Sequence, residues 1–235
     1  MNFNKGVFVI VCLAILALAF YFHKSGIPEK AIDESEFSDG LSILKTSDGC
    51  GYVNEKGQTI IEPNYGFCEK FSEDLACVQA KDGNWGFINK EGKIILPFKY
   101  KSASGFYENV ATVATENGDV DLIDKTGKVV LKTRYVWISL FVSGLAAAAK
   151  TENNCGYINK KGEWVISPSY EESWPFSDGL AKVCLKHKYG FIDMKGNLVI
   201  EPKYTFAEDF TNGLAHVAES SGWIYINEKG EKVKR

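Results

Sequence analysis

Histidine is scarce in this chain: there are 3 in 235 residues, and only His187 and His216 lie beyond the N-terminal segment. A metal site needs several ligands that converge with a defined geometry, and no cysteine–histidine pair here has the spacing of such ligands. The sequence also lacks a nucleophile elbow, a phosphate-binding loop and a dinucleotide-binding fingerprint. We therefore expect no metal, no cofactor and no catalytic residue, and we predict that the protein is not an enzyme.

An excess of positive charge is missing as well. Lysine and arginine number 27 against 30 aspartate and glutamate, which gives a formal net charge of −3. Proteins that bind nucleic acid usually carry a basic face, because they neutralise phosphates. Nucleic acid is therefore not an expected partner.

Cysteine is present but not in a pattern that indicates a disulfide framework. An exported protein could oxidise some of its thiols, and an odd number outside the apolar segment leaves at least one unpaired. Cys50 and Cys155 occupy the same position in two sequence repeats, and Cys68 occupies a position held elsewhere by alanine. We interpret these residues as small apolar fillers. The cysteines outside the apolar segment are Cys50, Cys68, Cys77, Cys155 and Cys184.

Long apolar runs are absent except for one near the N-terminus, Val7–Phe22, which Lys5 precedes. The run is just short of the ~17–25 residues of a membrane-spanning helix. A cleaved signal peptide would end at Ala19, whereas an uncleaved helical anchor would use the whole run and attach the protein to the membrane. The aromatic residues after Ala19 favour the anchor, because such residues prefer membrane interfaces. Both alternatives place the rest of the chain outside the cytoplasm: facing the extracytoplasmic side of the cell membrane, or periplasmic or secreted after cleavage.

The remainder of the chain is organised as a linker and a tandem repeat. Residues 25–36 are polar and acidic, as is typical of a tether after the N-terminal segment 1–24. From residue 37 a pattern recurs about every 35 residues, which indicates a repeat architecture. The six predicted repeats are 37–70, 71–105, 106–140, 141–175, 176–209 and 210–235.

Three residue types mark the register of the repeats. We expect the opening phenylalanine and the tyrosine in the core, and a positive φ at the glycine, which would close a hairpin turn. The phenylalanines are Phe37, Phe71, Phe106, Phe141, Phe176 and Phe210. The glycines are Gly57, Gly92, Gly127, Gly162, Gly196 and Gly230. The tyrosines are Tyr65, Tyr100, Tyr135, Tyr170 and Tyr204.

Each repeat is predicted to contain three short strands. The first follows the Leu-Ala-x-Val pattern, in which the residue between Ala and Val changes from Cys77 to Lys182 to His216, so we expect it on the more exposed face. Asp-Gly or Asn-Gly turns favour a hairpin to the second strand. The third strand is β-branched and is predicted to end at a proline such as Pro202, because proline cannot donate to a strand ladder.

The combined pattern resembles the bacterial WG repeat, also called the KWG repeat, over residues 37–235. Its elements here are Phe-x-x-Gly-Leu-Ala-x-Val, Trp-Gly-Phe-Ile-Asn-Lys-x-Gly-Lys and Ile-x-Pro-x-Tyr. The resemblance implies an all-β repeat protein and implies no particular activity. The name-giving Trp-Gly is intact only at Trp85-Gly86. We call the position of this tryptophan the Trp slot, and its occupants are Cys50, Trp85, Val120, Cys155, Tyr189 and Trp223.

The sequence thus predicts an all-β tandem repeat of six three-stranded units, for which a propeller-like ring is favoured over an open solenoid. We expect a non-catalytic binding or scaffold module of the cell envelope. The alternatives are an envelope hydrolase, with carboxylates such as Asp39 and Asp178, and a structural spacer.

Aromatic residues in the connectors between the tyrosine and the next phenylalanine are the candidate binding residues. Exposed aromatic rings there could stack on a sugar or anchor a peptide, so an unidentified protein or polysaccharide is the expected partner. The same rings could instead seal the junctions between units. The candidates are Trp137, Trp174, Phe67 and Phe206.

Overall fold

A computed structural model describes residues 37–116 and 118–234 of the protein. Within these residues the chain forms 23 β-strands in six antiparallel sheets, which we number I to VI. No helix long and apolar enough to cross a bilayer occurs among them. The predicted N-terminal helix over Val7–Phe22 and the linker 25–36 lie outside the described residues.

Sheets I to III follow one another along the chain. Sheet I contains β1 (Leu41–Thr46), β2 (Gly49–Asn54) and β3 (Thr59–Tyr65). Sheet II contains β4 (Phe67–Cys68), β5 (Leu75–Gln79), β6 (Trp85–Asn89) and β7 (Ile94–Tyr100). Sheet III contains β8 (Ser102–Ala103), β9 (Ala111–Ala114), β10 (Val120–Ile123) and β11 (Val129–Leu131).

Sheets IV to VI repeat this order. Sheet IV contains β12 (Trp137–Ile138), β13 (Ala146–Ala149), β14 (Cys155–Ile158) and β15 (Trp164–Tyr170). Sheet V contains β16 (Glu172–Ser177), β17 (Leu180–Leu185), β18 (Lys188–Ile192) and β19 (Leu198–Tyr204). Sheet VI contains β20 (Phe206–Ala207), β21 (Leu214–Glu219), β22 (Gly222–Asn227) and β23 (Lys232–Val233).

The prediction of three-stranded units is wrong for five of the six sheets, which have four strands. The additional strand comes from the connector before each opening phenylalanine. In sheet II, Phe67 pairs with Gln79 and Cys68 with Val78. A paired segment of two residues is too short to show the alternation by which strands are identified from sequence.

The glycine turns are confirmed. All six turn glycines have φ between 73° and 85°. In the first turn the Asn54 side-chain oxygen accepts hydrogen bonds of 3.0 Å from the backbone N–H groups of Lys56 and Gln58. Each of these turns therefore combines a left-handed glycine with an asparagine or aspartate that bonds to the backbone.

Proline lies inside the third strand of a repeat rather than at its end, which corrects the prediction. Pro202 is the fifth residue of β19, and Pro168 is the fifth residue of β15. These strands are at the edge of their sheets, and each proline lies where the pairing register with the neighbouring strand shifts, which are positions where a strand tolerates proline.

The core consists of five hydrophobic clusters, and each joins two successive sheets. Five of the six opening phenylalanines are buried at these junctions as predicted, whereas Phe37 is only partly buried and belongs to none of the clusters. Phe176 is buried and its ring centroid lies 4.9 Å from that of Tyr157 in the preceding sheet. Because a sheet with two neighbours is covered on both faces, the variable position of the first strand is not exposed as expected: Cys77 is 0% exposed and Lys182 is 9% exposed.

Successive sheets are also joined at one end of their strands, where the Ser-Asp-Gly-Leu and Asn-Lys-x-Gly turns lie. We call this end of the sheets the turn edge. Here Ser38 Oγ donates to the Phe71 carbonyl at 2.5 Å, and a carboxylate of one repeat accepts from the backbone of the next. Four such carboxylate bonds occur: Asp39 to Asp74 N–H, Glu73 to Asn109 N–H, Glu108 to Gly144 N–H and Asp178 to Gly213 N–H.

A disulfide between Cys50 and Cys68 joins β2 of sheet I to β4 of sheet II. The interpretation of these two cysteines as apolar fillers is therefore wrong. Both cysteines belong to the repeat 37–70, but their slots face each other only across the junction between sheets I and II, which a comparison of equivalent positions in the repeats does not reveal. Among the described residues, Cys77, Cys155 and Cys184 are free and buried.

Candidate functional site

The connectors and the hairpins between first and second strands lie at the end of the strands opposite the turn edge, because neighbouring strands are antiparallel. We call this the connector edge. All four candidate binding residues lie in connector strands there. Phe67, Trp137 and Phe206 each begin such a strand, and Trp174 lies within β16.

The Tyr189 ring connects Trp174 with Phe206, and the Trp223 ring extends the series beyond Phe206. The sequence did not predict Tyr189 or Trp223 as binding residues. The Trp174 ring centroid is 5.7 Å from that of Tyr189, and Tyr189 is 6.0 Å from Phe206. Phe206 in turn lies 5.3 Å from Trp223. These four rings form a continuous series across sheets V and VI, which we call the aromatic row.

The aromatic row is more exposed at its sheet VI end. Phe206 is 48% exposed and Trp223 is 51% exposed, whereas Trp174 and Tyr189 are half-buried. Next to Trp223 lies the His216 ring, at 4.5 Å. Single exposed apolar residues are ordinary on protein surfaces, whereas a contiguous exposed apolar surface is typical of an interaction site.

Tyr189 and Trp223 occupy the Trp slot of the fifth and sixth repeats. The sequence signal that could have identified them is therefore the Trp slot itself. β-strand pairing brings the Trp slot next to the connector of the preceding repeat, which belongs to the same sheet: Phe206 pairs with Ala218, which pairs with Trp223. That adjacency depends on the connector strand, which was not predicted.

The other two candidates are not part of the row. Phe67 is 36% exposed, and its ring centroid lies 5.6 Å from that of Trp85 within sheet II. Trp137 packs against the hydrophobic cluster between sheets IV and V. The alternative explanation, that connector aromatics seal junctions, thus describes Trp137 better than it describes Phe206.

A cavity of about 460 Å³ opens at the connector edge beside the row. Tyr189 belongs to both the row and the cavity lining. The remaining lining is mostly polar and supplies carboxylate, amide, imidazole and hydroxyl groups. Its polar members include Glu171, Glu172, Asn153, His187 and Thr205.

The two glutamates of the cavity differ in their surroundings. Glu171 accepts hydrogen bonds of 3.0 Å from the backbone N–H groups of Lys186 and His187, and the latter bond is the main reason that its pKa is lowered. Glu172 is exposed and forms no ion pair with any described residue. Burial, and then the charge of Glu172, raises the pKa of the Tyr189 hydroxyl.

The carboxylates considered for hydrolysis have other partners. Asp39 and Asp178 bind backbone N–H groups of the following repeat on the turn edge. A hydrolase would require carboxylates from several repeats to converge in one cleft with raised pKa values. The cavity glutamates come from a single connector, and the pKa of Glu171 is lowered. In residues 37–116 and 118–234 no group of three or more His, Cys, Asp or Glu side chains could hold a metal ion.

Known structures resemble the chain at the level of the fold. BamB from Moraxella catarrhalis, a propeller-like protein, matches with a TM-score of 0.56 and 13% identity over 85% of this chain and 71% of BamB. The computationally designed Ika8 protein gives 0.54 and 13% over 83% of this chain and 71% of Ika8. Hsv2 from Kluyveromyces lactis gives 0.53 and 8% over 80% of this chain and 70% of Hsv2. No curated protein matches the sequence.

The family comparison agrees with the repeated sequence pattern. The family described as WG containing repeat matches five times, and together the matches cover most of the chain. The matched segments are 51–85, 85–118, 122–155, 156–189 and 189–223. With six β-sheets in tandem and these five matches, the chain belongs to the WG containing repeat family.

Proposed function

We propose that this chain is a non-catalytic binding or scaffold module that acts outside the cytoplasm, at the bacterial cell envelope. The observation that carries the proposal is the aromatic row, which is exposed at Phe206 and Trp223 and adjoins a polar cavity. Aromatic anchors beside satisfied polar groups are typical of binding surfaces. An envelope protein or polysaccharide is the proposed partner.

The extracytoplasmic location has two sources of support. Val7–Phe22, preceded by Lys5, has the composition of an export signal or anchor. The Cys50–Cys68 disulfide requires an oxidising compartment in most bacteria, because the cytoplasm keeps thiols reduced. These two features are independent, since one is a targeting signal and the other belongs to the repeats. We favour retention of the N-terminal segment as a helical anchor over cleavage after Ala19.

A reporter fused after Arg235 tests the location. A periplasmically active phosphatase is expected to be active in the fusion, and a reporter that fluoresces only in the cytoplasm is expected to be dark. The opposite pattern would disprove the location. The size of the product in the membrane fraction distinguishes retention of residues 1–19 from cleavage after Ala19.

Binding is tested by capture of envelope components with the purified full chain. We expect Phe206→Ala to reduce capture and Phe67→Ala, at the equivalent position of sheet II, to leave it unchanged. Equal capture by the wild type and the Phe206→Ala variant would contradict a function that depends on the aromatic row.

A propeller-like ring is our proposal for the arrangement of the six sheets. It is supported by the similarity to BamB and by the equivalence of the five junctions. A further support is the burial of Ser42 and Val53, which are paired in sheet I on the face opposite Tyr52. A closed ring requires a sixth junction, between sheets VI and I.

Spin labels on the hairpin turns between the first and second strands test whether the six sheets close into a ring. Labels at Asp48 and Asp82 report the separation of two adjacent sheets, I and II. A ring predicts a similar separation between Asp48 and Ser220 of sheet VI. A much larger separation would show an open stack.

A further inference from the structure

We propose that the aromatic row and the adjoining cavity bind a basic, extended peptide segment, with a lysine or arginine side chain held between Glu172 and the rings of Tyr189 and Phe206. This inference rests on the proposed binding function and names the chemical class of the ligand. The row continues through four rings of two sheets, so an extended ligand can contact several of them.

The molecule already contains one example of this recognition. The Lys182 ammonium lies 4.4 Å from the Trp174 ring centroid and 3.2 Å from the Asp209 carboxylate. A cation that sits over an aromatic face and beside a carboxylate gains from the ring quadrupole and from the opposite charge. At this end of the row the protein's own lysine thus fills the cation position.

The next position along the row has the same chemistry without an internal cation. Glu172 is exposed, lines the cavity and forms no ion pair with a described residue. Tyr189 lines the same cavity as Glu172, and the Phe206 ring centroid lies 6.0 Å from that of Tyr189. The Glu172 carboxylate has a side-chain hydrogen bond with Tyr189, and a ligand ammonium or guanidinium group would add the counter-charge.

Charge at the exposed end of the row favours a second basic residue in the ligand. Glu208 lies two residues after Phe206 in the sheet VI connector and is exposed, and its carboxylate lies 3.7 Å from Nδ1 of His216. A neutral glycan could stack on Phe206 and Trp223 but would leave both Glu172 and Glu208 without a counter-charge. A peptide with separated basic side chains satisfies the rings and the carboxylates together.

The test is the binding of fluorescein-labelled hexalysine to the purified full chain by fluorescence anisotropy. We expect saturable binding that Glu172→Gln and Phe206→Ala each weaken roughly fivefold, as loss of one cation contact implies. Two matched controls should bind as the wild type does. Glu201→Gln removes the same charge from an exposed edge strand, and Phe67→Ala removes the equivalent ring of sheet II. Circular dichroism verifies that each variant is folded.

Three results would overturn the proposal. Dissociation constants above about 1 mM would exclude a basic peptide ligand. Equal weakening by Glu201→Gln and Glu172→Gln would show diffuse attraction instead of a site. Binding of a chitosan hexamer that depends on Phe206, without such binding of hexalysine, would assign the row to an amino sugar. If hexalysine fails while Phe206→Ala still reduces capture of envelope components, the proposed function stands and only the ligand class is wrong.

Discussion

The glycine of the Trp-Gly motif permits two strands to approach closely. A Cβ on Gly190 would lie 2.6 Å from the carbonyl oxygen of Ile200, and one on Gly156 would lie 2.5 Å from that of Ile166. Third strands are seven residues long in the four repeats that have this glycine. Where Asp121 replaces it, the third strand β11 has three residues. The glycine thus permits the close approach that accompanies a fully paired third strand.

Gly190→Ala tests this explanation. We expect a loss of about 1–3 kcal/mol in the free energy of unfolding, because the added methyl group meets backbone rather than a flexible side chain. Urea denaturation measures the change. Gly66→Ala is the control, since its Cβ would lie 3.5 Å from the nearest heavy atom, and we expect a change within about 0.5 kcal/mol. Similar stabilities of the Gly190→Ala variant and the wild type would contradict the close approach.

Glu69 is a partly buried residue at the junction of sheets II and III, where its carboxylate accepts a hydrogen bond from Gly105 of sheet III. Burial raises its pKa from 4.5 to about 7, against the opposing effect of the Gly105 N–H, which donates to Glu69 Oε2 at 3.1 Å. The folded protein therefore retains a proton that the unfolded chain releases at lower pH. Stability is lost as the pH rises from about 4.5 to about 7, by at most about 3 kcal/mol.

Glu69→Gln removes this titration, because the amide is neutral at every pH. Relative to the wild type, the Glu69→Gln variant should gain stability between pH 5 and pH 8. Urea denaturation at the two pH values provides the measurement, and the difference between the two proteins cancels the contribution of other carboxylates. Parallel pH profiles for the two proteins would show that Glu69 titrates normally.

At the scale of the elements, the turn edge joins sheets by carboxylate-to-backbone bonds, and one junction lacks such a bond. The fourth repeat has Ser143 where other repeats have Asp39, Glu73, Glu108 or Asp178. No corresponding bond to Gly179 is found between sheets IV and V within the described residues. Ser143 also has a φ of 52°, a conformation that aspartate tolerates better than serine.

Ser143→Asp should therefore strengthen this junction. We expect a gain of about 0.5–1.5 kcal/mol from the added hydrogen bond. Thermal unfolding of the full chain monitors the change, with Glu108→Ala as a control of opposite sign, because Glu108 binds Gly144 N–H and Lys160. A destabilised Ser143→Asp variant would refute the equivalence of the turn-edge junctions.

The junction of sheets IV and V also contains a position for a second disulfide. Cys155 occupies the slot of Cys50, and Ser173 occupies the slot of Cys68. Ser173 is buried, and its hydroxyl has no hydrogen-bond partner among the described residues. Cys155 and Ser173 are 18 positions apart, the separation of the Cys50–Cys68 pair.

Ser173→Cys should form a disulfide with Cys155 under oxidising conditions. A loop of this length is expected to add about 3 kcal/mol to the free energy of unfolding. Denaturation with and without a reductant isolates the contribution, and the wild type controls for the native disulfide. A variant that remains fully alkylatable at both positions would show that the two junctions differ in geometry.

The repeat register, the core phenylalanines and the turn glycines could be predicted from sequence, because each recurs at a fixed spacing and has one physical cause. The connector strands could not, since two paired residues carry no periodicity. Lys182 illustrates a second limit. Its variability and charge predicted exposure, whereas the stacking of sheets buries it against Trp174 and Asp209. The aromatic row was predicted only in part. Phe206 was identified from the sequence, but its contact with Trp223 depends on the pairing of the connector strand, which was not predicted.

At the scale of the whole molecule, six sheets stack through successive junctions, and we propose that the aromatic row lies outside the cytoplasm. The disulfide at the junction of sheets I and II depends both on how the sheets stack and on the compartment in which the protein lies. Cys50 and Cys68 meet only if sheets I and II stack as described, and they remain oxidised only in an oxidising compartment. The state of these two thiols in the native protein therefore reports on both claims at once.

The most direct measurement is a disulfide map of the protein isolated from envelope fractions whose free thiols were blocked before lysis. Peptide mass spectrometry should find Cys50 linked to Cys68. It should find Cys77, Cys155 and Cys184 as thiols that react only after unfolding, because they are buried. Blocked, unlinked Cys50 and Cys68 in the native protein would contradict the account.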